Sequence, residues 1–227
     1  MNKKIAILFG AMLFCQLIIA TSIFAQAKFD VDENETTDST LISYGESLSG
    51  YNFNDAVNWS IYNTDHVLIA KGKGAGFENY VFKKPGFFTV EVKEIITHLP
   101  HTCNHLHFPE KIKVTVSPYK MQFNFYSVKI DAEIIGGKEV SGNTITVDVY
   151  FKSYNNKTTV YNNGRINTSG VNTSIQGLLT CKPKLHNGKN TLRFSLNGSA
   201  TSSTYIQFDF KDINNKTQSY GYPKIIP

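Results

Sequence analysis

The sequence predicts an all-β protein made of two consecutive antiparallel β-sandwiches that follow a signal peptide. Short segments in which apolar and polar residues alternate recur along the chain, a period that turns one face of a strand toward a core. Turns rich in Asn and Gly separate these segments, as at Asn162–Gly164 and Asn197–Gly198. No stretch after residue 27 shows a sustained helical period bounded by caps. We therefore expect strands throughout the mature chain.

Residues 1–27 have the composition of a cleavable signal peptide. Lys3 and Lys4 give a basic start, residues 5–23 are almost wholly apolar, and small residues surround Ala25 and Ala27. Cleavage would lower the formal net charge from +5 to +3, because both lysines are removed. We expect an exported protein, located in the periplasm, on the cell surface or outside the cell. Contact with the membrane is expected only through this segment, if it stays uncleaved.

Residues 28–40 form an acidic segment rich in Thr and Ser without apolar periodicity, which predicts a disordered leader. Its acidic residues are Asp30, Asp32, Glu33, Glu35 and Asp38. Lysines elsewhere are scattered and form no basic stripe. Nucleic acid is therefore not an expected partner.

Residues 41–118 contain the strand pattern of the first predicted domain. Val57, Trp59 and Ile61 alternate with polar residues and are expected to face the core. Other strand segments lie at 41–44, 67–71, 79–82, 87–92 and 111–116. The glycine-rich stretch 72–76 lacks the Gly-Lys-Ser/Thr ending of a phosphate-binding loop and is expected to be a flexible connector.

These residues resemble a PKD-type immunoglobulin-like domain. The matching features are Trp59 within a strand, the pattern Tyr80-x-Phe82-x-x-Pro85-Gly86-x-x-x-Val90-x-Val92, and a last strand Ile112-x-Val114-x-Val116 that closes at Pro118. The family's Gly-Asp-Gly turn after the Trp strand is absent from this sequence. The resemblance implies an immunoglobulin-like sandwich of a bacterial secreted protein, and modules of this family act as spacers or adhesive units.

Residues 119–227 are expected to form the second sandwich, with alternating segments at 121–128, 145–151, 192–196 and 205–210. Four aromatic residues lie close together in this part of the sequence, namely Tyr150, Phe151, Tyr154 and Tyr161. Such rings either fill the core of the sandwich or recognise carbohydrate or protein at its surface. The sequence leaves both roles open.

The loop 98–107 between two strands of the first domain contains the residues best suited to bind a metal ion. Its candidate ligands for zinc or copper are His101, Cys103, His105 and His107. They recur at every second position, so on an extended chain they would point to one side. All four would span about 20 Å on a straight strand, so one shared ion requires the loop to curl. The alternative is a solvated polar loop.

The mature chain retains two cysteines, Cys103 and Cys181. In an exported protein they could form a disulfide, which would require their Cα atoms to lie within about 7 Å of each other. Two separate thiols are the alternative.

The sequence predicts a non-catalytic secreted or surface-exposed module for binding or assembly. No Gly-x-Ser-x-Gly nucleophile elbow occurs in the sequence. The expected partners are envelope or surface proteins, or glycans. A metal-binding accessory protein that uses the loop 98–107 is the second hypothesis. The third is a hydrolytic enzyme, with Cys103 as nucleophile and His101 or His105 as base.

Overall fold

A computed structural model describes residues 37–95 and 108–227 and shows an all-β protein, as predicted. Within these ranges the strands are β1 (Thr37–Ser43), β2 (Glu46–Ser47), β3 (Val57–Asn63), β4 (Leu68–Lys73), β5 (Val81–Phe82), β6 (Gly86–Glu94), β7 (Lys111–Ser117), β8 (Tyr119–Ile130), β9 (Thr144–Ser153), β10 (Thr159–Val160), β11 (Arg165–Ser169), β12 (Gln176–Leu179), β13 (Lys184–Leu185), β14 (Gly188–Asn197), β15 (Gln207–Lys211) and β16 (Thr217–Gly221). One turn of 3-10 helix covers Gly74–Phe77. Across both ranges, no helix has the length and apolar character needed to span a bilayer.

The first half of this structure contains a five-stranded sheet in the order β1-β7-β6-β3-β4 and a short two-stranded pair, β2 with β5. The β1–β7 pair is parallel, and the other neighbours are antiparallel. The alternation in β3 is confirmed, because Val57, Trp59 and Ile61 are all buried in the core beside this sheet. Period-two patterning thus assigns the inner face of the central strand correctly.

The core of the first half is rich in aromatic rings. The Phe53 and Phe77 rings stack with their centroids 4.9 Å apart, and Phe108 meets Phe53 edge to face. Trp59 lies over Gly72, where a Cβ atom would be only 2.3 Å from the indole ring. Gly72 is therefore needed for close packing within β4, which differs from the flexible connector that we expected from the sequence.

Strand β1 begins at Thr37, inside the segment 28–40 that the sequence assigns to a disordered leader. Its seven residues pair in parallel with β7, from Thr37 opposite Lys111 to Ser43 opposite Ser117. Main-chain pairing of this kind needs no apolar side chains, which explains why the first four residues of the strand carry no hydrophobic signal.

The second half contains a seven-stranded antiparallel sheet in the order β16-β15-β11-β12-β14-β9-β8 and the short pair β10–β13. The seven-stranded sheet curves until it is nearly barrel-shaped. Its interior is a second hydrophobic core, separate from the first, with Ile145, Leu192 and Phe208 among its fully buried residues. Residues 36–227 form one compact unit that holds both cores. The division into domains at Pro118 stays a prediction.

A glutamine side chain links the two outer strands of the seven-stranded sheet. The Gln218 amide on β16 accepts a hydrogen bond from the Phe123 N–H at 3.0 Å. It also donates to the Met121 carbonyl at 3.0 Å. Both partners belong to the main chain of β8, so the primary amide takes the place of a peptide group from a neighbouring strand. The side chain thereby satisfies backbone groups that the free edge of β8 would otherwise leave unpaired.

The two halves meet where Pro118 separates β7 from β8, and a buried asparagine connects them. Asn214, in the turn between β15 and β16, is 8% exposed. Its Nδ2 donates to the Ser43 hydroxyl oxygen at 3.1 Å and to the Tyr119 carbonyl at 2.9 Å. Asp212 fixes this turn, because its carboxylate accepts hydrogen bonds from the Asn214 and Lys216 N–H groups at 2.8 and 2.9 Å. One amide group therefore joins the first sheet to the second.

We predict that Gln218→Leu lowers the free energy of unfolding by about 1–3 kcal/mol, because two partly buried backbone groups of β8 lose their partner. Urea unfolding measures this, and amide exchange should accelerate at Phe123. The matched control is Gln176→Leu, at an exposed position of β12, which should change the stability by less than about 0.5 kcal/mol. Equal effects of the two substitutions would contradict the conclusion that the Gln218 side chain stabilises the protein by linking β16 to β8.

Asn214→Ala should destabilise the protein by about 1–3 kcal/mol, because it removes both hydrogen bonds across the junction and leaves the Tyr119 carbonyl without this donor. Asn214→Asp should cost more, since it also buries a second carboxylate next to Asp212. Thermal and urea unfolding test both variants against Asn162→Ala, which alters an exposed asparagine. A loss no larger than that of the control would show that the junction does not depend on Asn214.

Candidate functional site

The residues predicted to bind metal lie outside the described part of the chain. His101, Cys103, His105 and His107 all fall within residues 96–107, so the metal site and the disulfide stay predictions. Cys181, the other predicted disulfide partner, is exposed. In the described ranges, no group of three or more His, Cys, Asp or Glu side chains is arranged to hold a metal ion.

The four neighbouring aromatic residues have different roles in the structure. Phe151 and Tyr161 are buried in the second core, where the Tyr161 hydroxyl donates to the Lys211 carbonyl. Tyr154 lies at the junction of the two halves and meets the Tyr44 ring edge to face at a centroid distance of 5.4 Å. Only Tyr150 of the four turns to the outer face of the sheet without such a ring contact among the described residues, with 54% of its surface exposed. Phe151 and Tyr161 thus fill the core, and recognition of carbohydrate or protein at the surface stays a prediction for which Tyr150 is the candidate.

A depression of about 380 Å³ surrounds Tyr150 on the outer face of the seven-stranded sheet. Its lining residues come from β8, β9, the loop before β14 and the first residue of β14, and are Lys120, Gln122, Tyr150, Phe151, Lys152, Asn187 and Gly188. We call it the Tyr150 depression. It combines a flat aromatic ring, one primary amide and two lysines, and no carboxylate lines it.

The strand register brings the two lysines together. In the antiparallel β8–β9 pair, Lys120 lies directly opposite Lys152, and Gln122 lies directly opposite Tyr150. Directly opposed side chains have Cβ atoms about 4.5–5.5 Å apart, and like charges in this arrangement destabilise a sheet. The outer face of the sheet therefore contains a local excess of positive charge beside an exposed ring.

Glu46 of β2 neutralises part of this charge. Its carboxylate lies 3.6 Å from Lys120 Nζ and 3.1 Å from Lys216 Nζ, so a single acid serves two lysines across the junction. Lys152 has no ion-pair partner in the part of the chain that the structure describes. Lys120 and Lys216 thus share one carboxylate and Lys152 has none, so the three lysines and Glu46 together carry a net charge of +2.

The next residue on the same face of β9 is already paired. Asp148 accepts a hydrogen bond from Thr191 Oγ1 at 2.7 Å and forms an ion pair with Lys189 at 2.8 Å. The hydrogen bond from Lys189 and that from Thr191 hold the pKa of Asp148 below its ordinary value. Asp148 is therefore engaged with β14 and leaves the charge of the depression unchanged.

The rim on the β14 side of the depression is shaped by Asn187 and Gly188. Gly188 has a φ of +98°, in the left-handed region that glycine tolerates, and a Cβ atom there would meet open space. The Asn187 amide accepts from the Ser153 N–H at 2.8 Å and donates to Asn156 Oδ1 at 2.7 Å. These bonds fix the loop before β14, so the depression has a defined wall.

A larger groove of about 790 Å³ runs beside β1, but carboxylates occupy part of its strand edge. Asp38 accepts the Ser39 N–H at 2.7 Å, and Glu46 accepts the Ser43 N–H at 3.0 Å. Side chains that occupy edge donors in this way hinder the addition of a foreign strand. The groove is consequently a weaker candidate than the Tyr150 depression.

Sequence reasoning singled out Tyr150 but missed Lys120, Lys152 and Gln122. The two lysines are 32 positions apart in the sequence, and only the register of β8 on β9 makes them neighbours. Each of these residues occupies a polar, outward position in a segment where polar and apolar residues alternate. Pairing β8 with β9 in the correct register would have shown that they are neighbours.

No known family model and no curated protein matches this chain. The resemblance to PKD-type domains therefore stays a prediction that depends on the residues quoted for it.

Acid should weaken the junction through Glu46. Burial alone would raise the pKa of this carboxyl, but the Ser43 N–H bond and the two lysines outweigh burial and lower the pKa. Because the folded-state pKa is lower than the unfolded one, the stabilisation is present at neutral pH and is lost as the pH falls below about 5. Glu46→Gln should lose less stability on acidification than the wild type does.

Urea unfolding at a series of pH values measures this difference. The control is Glu133→Gln, which removes an exposed ion pair with Lys224 and should follow the wild-type profile closely. Parallel acid profiles for Glu46→Gln and the wild type would show that the ionised carboxylate does not stabilise the junction.

Proposed function

We propose that this chain is an exported, non-catalytic binding module whose recognition surface is the Tyr150 depression. The observation that carries this proposal is the outward-facing Tyr150 ring, set in a preformed depression between two lysines and a fixed loop. Its volume falls within the range of about 300–1,000 Å³ that is usual for ligand sites. Tyrosine is well suited to this role because its ring gives apolar contact and its hydroxyl remains in water.

The rigidity of the surface supports a recognition role. Tyr150 and Lys152 lie on β9, which pairs on one side with β8 and on the other with β14. A site built on a strand with two neighbours keeps its side chains in place better than one built on a loop. Binding here would therefore require little ordering of the protein.

The side chains of the depression favour binding over catalysis. A tyrosine ring, a glutamine amide and two lysines offer stacking, hydrogen bonding and positive charge. A hydrolytic site requires a nucleophile or a water-activating base with a group that orients it. The lining residues do not contain that combination.

The strand order supports an immunoglobulin-like first domain as part of the proposal. In that arrangement the first strand runs parallel to the last, and the β1–β7 pair has this orientation. The β2–β5 pair would then represent the second sheet of the sandwich. Residues 119–227 would add a second β-domain that presents the Tyr150 depression. The signal-peptide pattern of residues 1–27 supports export to the periplasm, the cell surface or the medium.

Tyr150→Ser should reduce binding to the physiological partner at least fivefold, because it removes the stacking surface. The measurement uses the purified protein on an array of glycans and on solubilised envelope proteins. Tyr205→Ser is the matched control, because this tyrosine is 66% exposed and does not line the depression. Both variants should melt at the wild-type temperature.

Two results would refute the proposal. One is a partner that binds wild type and Tyr150→Ser equally well, and the other is the absence of binding to glycans and envelope proteins alike.

A further inference from the structure

We propose that the Tyr150 depression binds an acidic polysaccharide whose residues carry carboxylates, such as a chain of uronic acids. This inference rests on the proposed function and adds the chemical class of the ligand. It follows from three features of the described structure, which are the opposed lysines, the exposed ring and the openness of the depression to solvent.

The opposed lysines define the charge of the ligand. Lys120 and Lys152 face each other across β8 and β9, and Glu46 compensates only part of the local charge because it also pairs with Lys216. An anion placed between the two ammonium groups would relieve their repulsion. Lysine binds carboxylate and sulfate as a mobile point charge, which suits a ligand whose anionic groups recur at several angles.

The exposed Tyr150 ring indicates that the ligand contains a sugar ring. Tyr150 lies one pleat from Lys152 on the same face of β9, about 7 Å along the strand. A pyranose ring has one face of C–H groups that packs on an aromatic ring, and its carboxylate projects from the edge of the sugar. A uronic acid stacked on Tyr150 would therefore direct its carboxylate toward the lysines. Gln122, directly opposite Tyr150, supplies a donor and an acceptor for hydroxyl groups.

The shape of the depression favours a polymer. It is open to solvent, and Gly188 at its rim presents no side chain. Surface ion pairs contribute little individually, so one monosaccharide would bind weakly. A polymer offers many identical sugar residues close to the site, so another residue can rebind when one dissociates. This high effective concentration raises the apparent affinity.

Affinity electrophoresis in gels that contain polygalacturonate tests the proposal. The neutral comparison is fully methyl-esterified polygalacturonate, which has the same sugar and lacks the charge. Wild type should be retarded by the acid polymer and not by the ester. Retardation should fall as sodium chloride is raised from about 20 mM to about 500 mM, because salt screens exposed charges.

Lys152→Gln should weaken the binding of polygalacturonate about fivefold, and Tyr150→Ser about tenfold. The matched controls are Lys182→Gln and Tyr205→Ser, both at exposed positions outside the depression. They should bind as the wild type does. Thermal melting of every variant verifies that the fold is retained.

The possible outcomes separate this inference from the proposed function. Equal, Tyr150-dependent retardation by the acid and the ester would support a carbohydrate-binding module and overturn the requirement for charge. If polyglutamate retards the protein in a Tyr150-dependent manner and polygalacturonate does not, the ligand is an acidic polypeptide. That result would overturn the inference that the ligand is a polysaccharide. If no polymer binds in a Tyr150-dependent manner and the array shows no partner, both proposals fail.

Discussion

The structure depends on a buried polar junction between two apolar cores. Hydrophobic burial is non-directional and cannot fix how one core is oriented against the other. Asn214 supplies direction, because its two N–H groups reach the Ser43 hydroxyl on one side and the Tyr119 carbonyl on the other. Asp212 holds the turn in the conformation that makes this possible. Leaving any of these buried groups unpaired would cost more than a typical hydrogen bond gains.

The junction also links the fold to the candidate site. Lys120 is the second residue of β8, directly after the chain has crossed between the halves. It pairs with Glu46 of the first half, which also pairs with Lys216 of the turn between β15 and β16. The residues that hold the halves together therefore set the electrostatic environment at one end of the Tyr150 depression. A substitution in the junction that moves Glu46 would therefore change the electrostatic potential around Lys120 at this surface.

The sequence predicts the strands that have one apolar face and misses those that do not. β3 and β9 alternate clearly. The residues predicted to face the core, Val57, Trp59 and Ile61, lie in β3, and the segment predicted at 145–151 lies within β9. β11 and β16 read Arg-Ile-Asn-Thr-Ser and Thr-Gln-Ser-Tyr-Gly, and too few of their residues are apolar to reveal a period. Their positions are fixed by pairing with β15. The link that Gln218 makes between β16 and β8 could not be predicted from the sequence either, because its partners lie 95 and 97 positions away.

The parallel pairing of β1 with β7 has a mechanical consequence. Thr37 and Lys111 lie at one end of the pair, and Ser43 and Ser117 lie at the other. A pull that separates the chain before Thr37 from the chain after Ser117 would drag the strands past each other lengthwise. All hydrogen bonds between the two strands would then bear the force together. When strands are peeled apart from one end, their hydrogen bonds break one at a time. The first half is thus built to resist tension applied along the direction of the polypeptide.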